Sequence, residues 1–393
     1  MILTISSSLL FAAFISYLLA TLLFGGAVHG KKDETESHKR FAKYAVWVTL
    51  AGFTLNVGYF VCRWIAVGHA PVSNMFEFTT AFGMFIVGAF LILYKAYRMP
   101  ALGLVALPIA VIVIAYASVF PKDVAPLIPA LKSNWLTIHV ITTVIGEAIL
   151  AISAFSGLVY LLKRTNVFQR TRERFALETI LFTLVVFIGF ILATLTFQAT
   201  NYQADFQYVD QKGERMPITY TMPALVGMND STALTENHLA PFVEAPAWVN
   251  GKKVTSVIWS LLYGIVLYGI LRILFRKRLV ALLQPLVRKA DLSMLDEMNY
   301  RAVLIGFPVF TLGALIFAMI WAQEAWSRMW GWDPKEVWAL ITWLYYAAFL
   351  HLRLSKGWEG KKSAWLAVIG FAIIMFNLIA VNLILAGLHS YAG

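Results

Sequence analysis

Ten apolar runs, each of about twenty residues or more, divide this 393-residue chain. They lie near 4–28, 41–67, 75–94, 101–119, 135–162, 177–197, 254–275, 302–322, 336–354 and 364–386. A hydrocarbon core of roughly 30 Å takes about 20 helical residues to cross, so each run predicts a transmembrane helix. The fourth is the least regular, because Pro108 interrupts it and Pro121 closes it. Composition agrees: 60% of residues are hydrophobic and 13% charged, against roughly 45–50% and 25% in soluble domains. The sequence predicts an all-α polytopic membrane protein, a single integral membrane domain over 1–393 with no internal repeat and no separable soluble part.

Charge sets the expected orientation. The connections near 29–43, 95–100, 163–176, 272–301 and 353–362 hold 23 of the 32 lysines and arginines. Cytoplasmic connections carry the basic excess in membrane proteins. With ten helices, both termini are then expected outside. The net charge of +11 thus reads as a topogenic signal and not as a nucleic-acid footprint. The first run resembles a signal sequence in hydropathy, but Lys31, Lys32, Lys39 and Arg40 follow it and no basic residue precedes it. That order suits a spanning helix with its N-terminus outside. On the outer side, 198–253 forms a large extracytoplasmic loop with Pro217, Pro223, Pro241 and Pro246, a length that suggests a cap or a lid. On the inner side, 278–301 is amphipathic and basic, and an interfacial helix is expected there. A lone cysteine, Cys62, excludes an internal disulfide, a CxxC pair and a multi-cysteine metal site.

Six of the thirteen tryptophans fall within 23 residues: Trp321, Trp326, Trp330, Trp332, Trp338 and Trp343. An aromatic belt would spread one or two over each helix end, so this density favours a surface for a large planar ligand. Asp333-Pro334-Lys335-Glu336 reads as the start of the ninth helix, with Asp as N-cap and Glu at the third position. His139 and His389 fall at the outer ends of the fifth and tenth helices, level with this segment. Two imidazoles beside flat aromatics suit an iron porphyrin, whereas zinc would take three or four ligands. His351 lies 17 residues into the ninth helix, about 25 Å from its start, in the inner half of the membrane. An intramembrane ionisable group is a candidate functional site, and a histidine snorkelling beside Arg353 fits the same position. On the residues alone, each of the three reads equally well as a ligand or as a structural histidine. Glu147, eight residues below His139, reads as a polar or proton site or as a hydrogen-bonded glutamate of the bundle.

The run Trp326-Ser-Arg-Met-Trp330-Gly-Trp332-Asp333-Pro334-Lys335-Glu336-Val-Trp338, followed by Trp343 and His351, resembles the WWD segment of haem-handling proteins. With Trp135-Leu-Thr-Ile-His139 before it and Gly387-Leu388-His389-Ser390-Tyr391 after it, the chain resembles the CcsA (ResC) family of System II cytochrome c synthases. The resemblance implies that residues 321–343, from Trp321 through Trp326, Trp330, Trp332, Asp333 and Trp338, hold haem b at the outer surface. It implies iron ligation by His139 and His389 there, and by His351 at an inner site shared with a histidine of a CcsB (ResB) partner. It further implies a haem lyase subunit of a bacterial cell membrane, with haem as substrate, apocytochrome c and a thiol-reducing thioredoxin-like protein as partners, and no nucleic acid. The vinyl groups would meet the CxxCH thiols of the substrate, which is why this chain needs no thiols of its own. Ser327 departs from the family pattern, where glycine follows the tryptophan. Two other readings stand beside this one: a haem delivery protein of the CcmC or CcmF type serving a separate chaperone, and a transporter with an aromatic gate.

Overall fold

The computed structural model describes residues 1–28, 35–123, 132–210, 213–234, 240–246 and 249–381. Ten of its helices are long and apolar enough to cross a membrane among these residues, as the ten runs predict. The chain divides into two compact units: Met1–Val167 with Leu283–Gly393, and Phe168–Leu282.

In the first unit, α1 (Ile2–Val28), α2 (Thr35–Val67), α3 (Met75–Tyr97), α4 (Pro100–Ala117) and α5 (Asn134–Arg164) precede α9 (Leu292–Thr311), α10 (Ala318–Trp326), α11 (Pro334–Lys356) and α12 (Lys361–Phe376). The helix ends are set by local chemistry. Asn74 accepts a hydrogen bond from the Glu77 amide to start α3, Ser133 accepts from Trp135 to start α5, and Asp291 accepts from Ser293 and Met294 to start α9. The Ser293 hydroxyl and these amides hold the Asp291 carboxyl below its usual range. Such side chains satisfy amides that the first helical turn leaves unpaired.

The eighth spanning helix departs from the expected 302–322. It runs from Leu292 through α9, a π-helical turn at Leu312–Phe317, and α10. The basic stretch before it therefore folds in two parts. Only Leu279–Val287 is a separate short helix (α8), and residues 292–301 continue into the long span.

Helix α5 is the centre of this unit, with buried side chains along nearly its whole length. Its approach to α9 depends on Gly146, where a Cβ would lie 2.6 Å from the Phe310 amide nitrogen. Small residues permit such backbone contact, and dispersion, not hydrophobicity, rewards it inside a membrane. Outward-facing apolar residues such as Leu22 and Ile92, each 73% exposed, suit a lipid environment.

The second unit holds α6 (Arg172–Ala199) and α7 (Gly251–Phe275), joined by a long connection that contains short strands. Strands β1 (Ala204–Val209), β2 (Arg215–Tyr220) and β4 (Thr232–Ala233) form an antiparallel sheet in the order β2-β1-β4. Strands β3 (Val226–Gly227) and β5 (Val243–Glu244) pair in parallel. The prolines of this stretch therefore punctuate a small folded cap, in which Phe206 and Tyr220 are buried edge to face. Burial pushes the Tyr220 hydroxyl up to about 12. Helices α6 and α7 meet where Gly189 faces Gly264, with room for no side chain at either position. At the far end of α6, Glu178 accepts hydrogen bonds from the Tyr268 hydroxyl and the Leu279 and Val280 amides.

Replacing Gly146 with valine should force α5 from α9 and cost about 1–3 kcal/mol. Thermal unfolding in detergent checks this, and an unchanged midpoint would contradict the packing.

Candidate functional site

A cavity in the first unit brings together three of the candidate site residues, His139, Trp321 and Trp326. Its walls include Leu136, His139, Val140, Thr143 and Glu147 of α5, Trp321 and Trp326 of α10, and Lys335 and Glu336 of α11. The Val72–Asn74 loop closes one side and Asn377–Leu378 another. Its volume is about 180 Å³.

His139 is held from two directions. Its Nδ1 lies 2.9 Å from the Gly313 carbonyl oxygen. A carbonyl only accepts, so Nδ1 carries the proton and the ring's lone pair sits on Nε2. The Trp321 indole stacks on the imidazole, with ring centroids 5.7 Å apart and planes 12° from parallel. Trp321 is itself 2% exposed and meets Trp326 at 64° with centroids 4.7 Å apart.

The Gly313 carbonyl belongs to the π-helical turn Leu312–Phe317. Such a turn moves each ladder bond one residue on, so the Gly313 carbonyl accepts from the Ala318 amide and gives its second lone pair to His139. Gly313 is also needed for proximity, since a Cβ there would fall 2.4 Å from the Thr143 amide nitrogen. The Thr143 hydroxyl donates to the His139 carbonyl at 2.7 Å.

The tryptophan segment separates into distinct roles. Asp333 and Glu336 form a reciprocal capping box at the start of α11, and Glu336 Oε2 also accepts from the Gly331 amide at 2.7 Å. The reading of Asp-Pro-Lys-Glu as a helix start holds. Trp338 packs on Phe376 with centroids 4.3 Å apart, and Trp343 donates to the Thr311 hydroxyl at 3.0 Å. Neither borders the cavity. Trp330 and Trp332 lie edge to face in the loop 327–333. Trp332 is 70% exposed, and the Trp330 indole nitrogen is buried without a partner among the described residues.

That loop begins and ends in left-handed backbone, with φ 55° at Ser327 and 56° at Trp332. Ser327 caps α10, and its amide donates to the Gln323 carbonyl. A Cβ costs energy in this region, which suits the glycine that the resemblance leads one to expect there.

Two polar features were less legible in the sequence. Glu77 is buried and pairs with Arg63 at 2.7 Å, accepts from the Ser73 amide and hydroxyl, and so pins the loop that walls the cavity. Glu147 lines the cavity and has no hydrogen-bond partner among the described residues.

His351 is apart from this cavity, exposed on α11. Its neighbour in sequence, Arg353, is committed to a bidentate pair with Asp296 at 2.7 and 2.9 Å. His389 and the Gly387–Tyr391 motif lie outside the described residues, as do His29 and His238. His69 bonds to the neighbouring Ala70 carbonyl. Among the described residues there is no cluster of three or more His, Cys, Asp or Glu that could hold a metal ion.

Replacing Ser327 with glycine should stabilise the protein by about 1 kcal/mol. Thermal unfolding checks this; a loss of stability would contradict the left-handed cap.

A family model described as cytochrome C assembly protein matches residues 72–199 and 254–389. A cytochrome c biogenesis protein CcsA from Prochlorococcus marinus is 30% identical over 389 residues, 98% of this chain and 93% of the relative. Proteins of the same name from Crocosphaera subtropica and Synechocystis are each 32% identical, covering 84% of this chain and 82% of theirs. The matched spans contain the cavity, the WWD loop and α11. This multi-pass membrane protein belongs to the cytochrome c assembly protein family and serves in cytochrome c maturation.

Proposed function

We propose that this chain is the haem-presenting subunit of a cytochrome c haem lyase, and that His139 is an axial ligand of haem at its outer face. The observation that carries this is the His139 geometry. A ligating imidazole needs its second nitrogen hydrogen-bonded so that tautomer and ring orientation are fixed, and the Gly313 carbonyl supplies that bond. His389 is the second ligand in this reading, and haem b is the substrate.

The donor set and the apolar walls fit a haem edge. At about 180 Å³, however, the cavity is smaller than ordinary small-molecule sites of roughly 300–1,000 Å³. A whole porphyrin would therefore extend beyond it, with the WWD loop moving outward. The left-handed residues Ser327 and Trp332 bracket that loop and are natural hinges.

The geometry also changes what the tryptophans would do. An axial imidazole stands perpendicular to the porphyrin plane, and Trp321 is nearly parallel to the imidazole. Trp321 would thus brace the ligand and not lie flat on the porphyrin. Trp326, steeply inclined to Trp321, can turn a face toward the ring.

In this reading the protein binds and orients, and the reacting groups come from its substrates. Each CxxCH thiol of apocytochrome c adds across a haem vinyl group, with sulfur bonding to one carbon and a proton to the other. The chain contributes proximity and exclusion of water. His351, exposed on α11, suits an inner haem site completed by a CcsB/ResB-type partner. A thioredoxin-like protein would keep the substrate thiols reduced. The basic excess on one set of connections supports an extracytoplasmic working face in a bacterial cell membrane. Similarity to CcsA proteins over almost the whole chain favours this reading over delivery to a separate chaperone.

Replacing His139 or His389 with alanine should lower haem retained with the purified complex by at least about tenfold and abolish maturation of a reporter cytochrome. Full maturation with both replaced would overturn the ligation. Replacing His351 should lower haem loading while a preloaded outer site stays competent. Equal loading with and without His351 would exclude its role at an inner site.

A further inference from the structure

A second cavity in the first unit opens between the ends of α1 to α4, beside the turn that joins α8 to α9. Its volume is about 1070 Å³, far more than the first. Ala27 of α1, Val46, Trp47 and Leu50 of α2, and Leu91 and Ile92 of α3 give it an apolar floor. Trp47 and Ile92 are largely exposed, so the floor continues onto the lipid-facing surface.

The rim is cationic. His38, Lys39, Lys43, Lys95, Arg98 and Lys289 border it, drawn from α2, the end of α3 and the α8–α9 turn. No acidic residue lines it among the described residues. Lys39 pairs with Glu36 at the surface, whereas Lys43, Lys95, Arg98 and Lys289 have no carboxylate partner among the described residues. Converging, uncompensated cations repel one another and favour an anion between them.

Arg98 adds an independent sign. It caps α3 in the left-handed region, at φ 49°, a position where glycine costs least. Its guanidinium-bearing side chain borders the rim.

We propose that this cavity binds an anionic phospholipid. The phosphate-bearing headgroup sits among Lys43, Lys95, Arg98 and Lys289, and the acyl chains run down Trp47, Leu50 and Ile92. Basic pockets between helix ends on the cytoplasmic side recognise such headgroups. This side is the one to which the distribution of lysine and arginine assigns the cytoplasm. The proposal does not depend on haem ligation at His139.

The full chain would be reconstituted in phosphatidylcholine bilayers doped with phosphatidylglycerol, extracted gently, and its retained lipid measured by native mass spectrometry. Wild type should retain phosphatidylglycerol well above its share of the bilayer. The K43Q/K95Q/R98Q variant should bind it about a hundredfold more weakly, at roughly fivefold per charge. The charge-conserving K43R/K95R variant should retain it. Should the triple variant fail to fold, K289Q in the exposed turn and a salt titration of wild type provide the same test. Each should weaken retention. Equal retention of phosphatidylcholine, retention unchanged in the charge-removing variants, or displacement of the lipid by millimolar inorganic phosphate would overturn the proposal.

Discussion

The hydrogen bond from His139 to the Gly313 carbonyl is the contact on which the site depends. The contact is partly buried, where a polar atom left unpaired is costly. A carbonyl oxygen has two lone pairs and can accept twice. In the π-helical turn at Leu312–Phe317 the Gly313 carbonyl accepts from the Ala318 amide and also from His139 of α5. Two glycines make the approach possible: Gly313 against Thr143, and Gly146 against Phe310. Helix irregularity, close packing and ligand orientation are therefore one structural solution.

The surrounding walls follow from other local rules. The Asp333–Glu336 capping box starts α11 directly beneath the WWD loop and directs Lys335 and Glu336 to the cavity. The buried Arg63–Glu77 pair fixes the loop opposite. Removing one partner of such a pair leaves a buried charge, at a cost of about 3–5 kcal/mol. Both devices serve first to hold backbone in place. Together they fix two walls of the cavity, beside a loop whose backbone is left-handed at Ser327 and Trp332.

Much of this was legible in the residues. Apolar length counted the spanning helices, because a bilayer imposes one dimension on every one of them. The order Asp-Pro-Lys-Glu announced the start of α11, since capping chemistry is local. Less legible were features that arise from contacts distant in sequence. Pro308 and Gly313 hint at an interrupted helix, but no local rule says that the repair is a π turn or that its carbonyl meets His139. Trp density marked one segment without separating the packing of its members: Trp321 stacks on His139, Trp338 and Trp343 pack, and Trp332 is exposed. Nothing local in the sequence marks Glu77 as an anchor, and only the approach of Arg63 from α2 makes it a buried one. The long connection before α7 read as loop because its strands are two to six residues long and Pro223, Pro241 and Pro246 interrupt the stretches between and after them.

The central claim is that His139, oriented by Gly313 and Trp321, supplies an axial ligand to haem. Ligand replacement in place tests it most directly. The purified His139→Gly complex, loaded with haem, would be titrated with free imidazole while its absorption spectrum is followed. The account predicts loss of the six-coordinate, low-spin bis-histidine spectrum in the variant and its return as imidazole fills the vacated space. A wild-type spectrum in the variant before imidazole is added would contradict it.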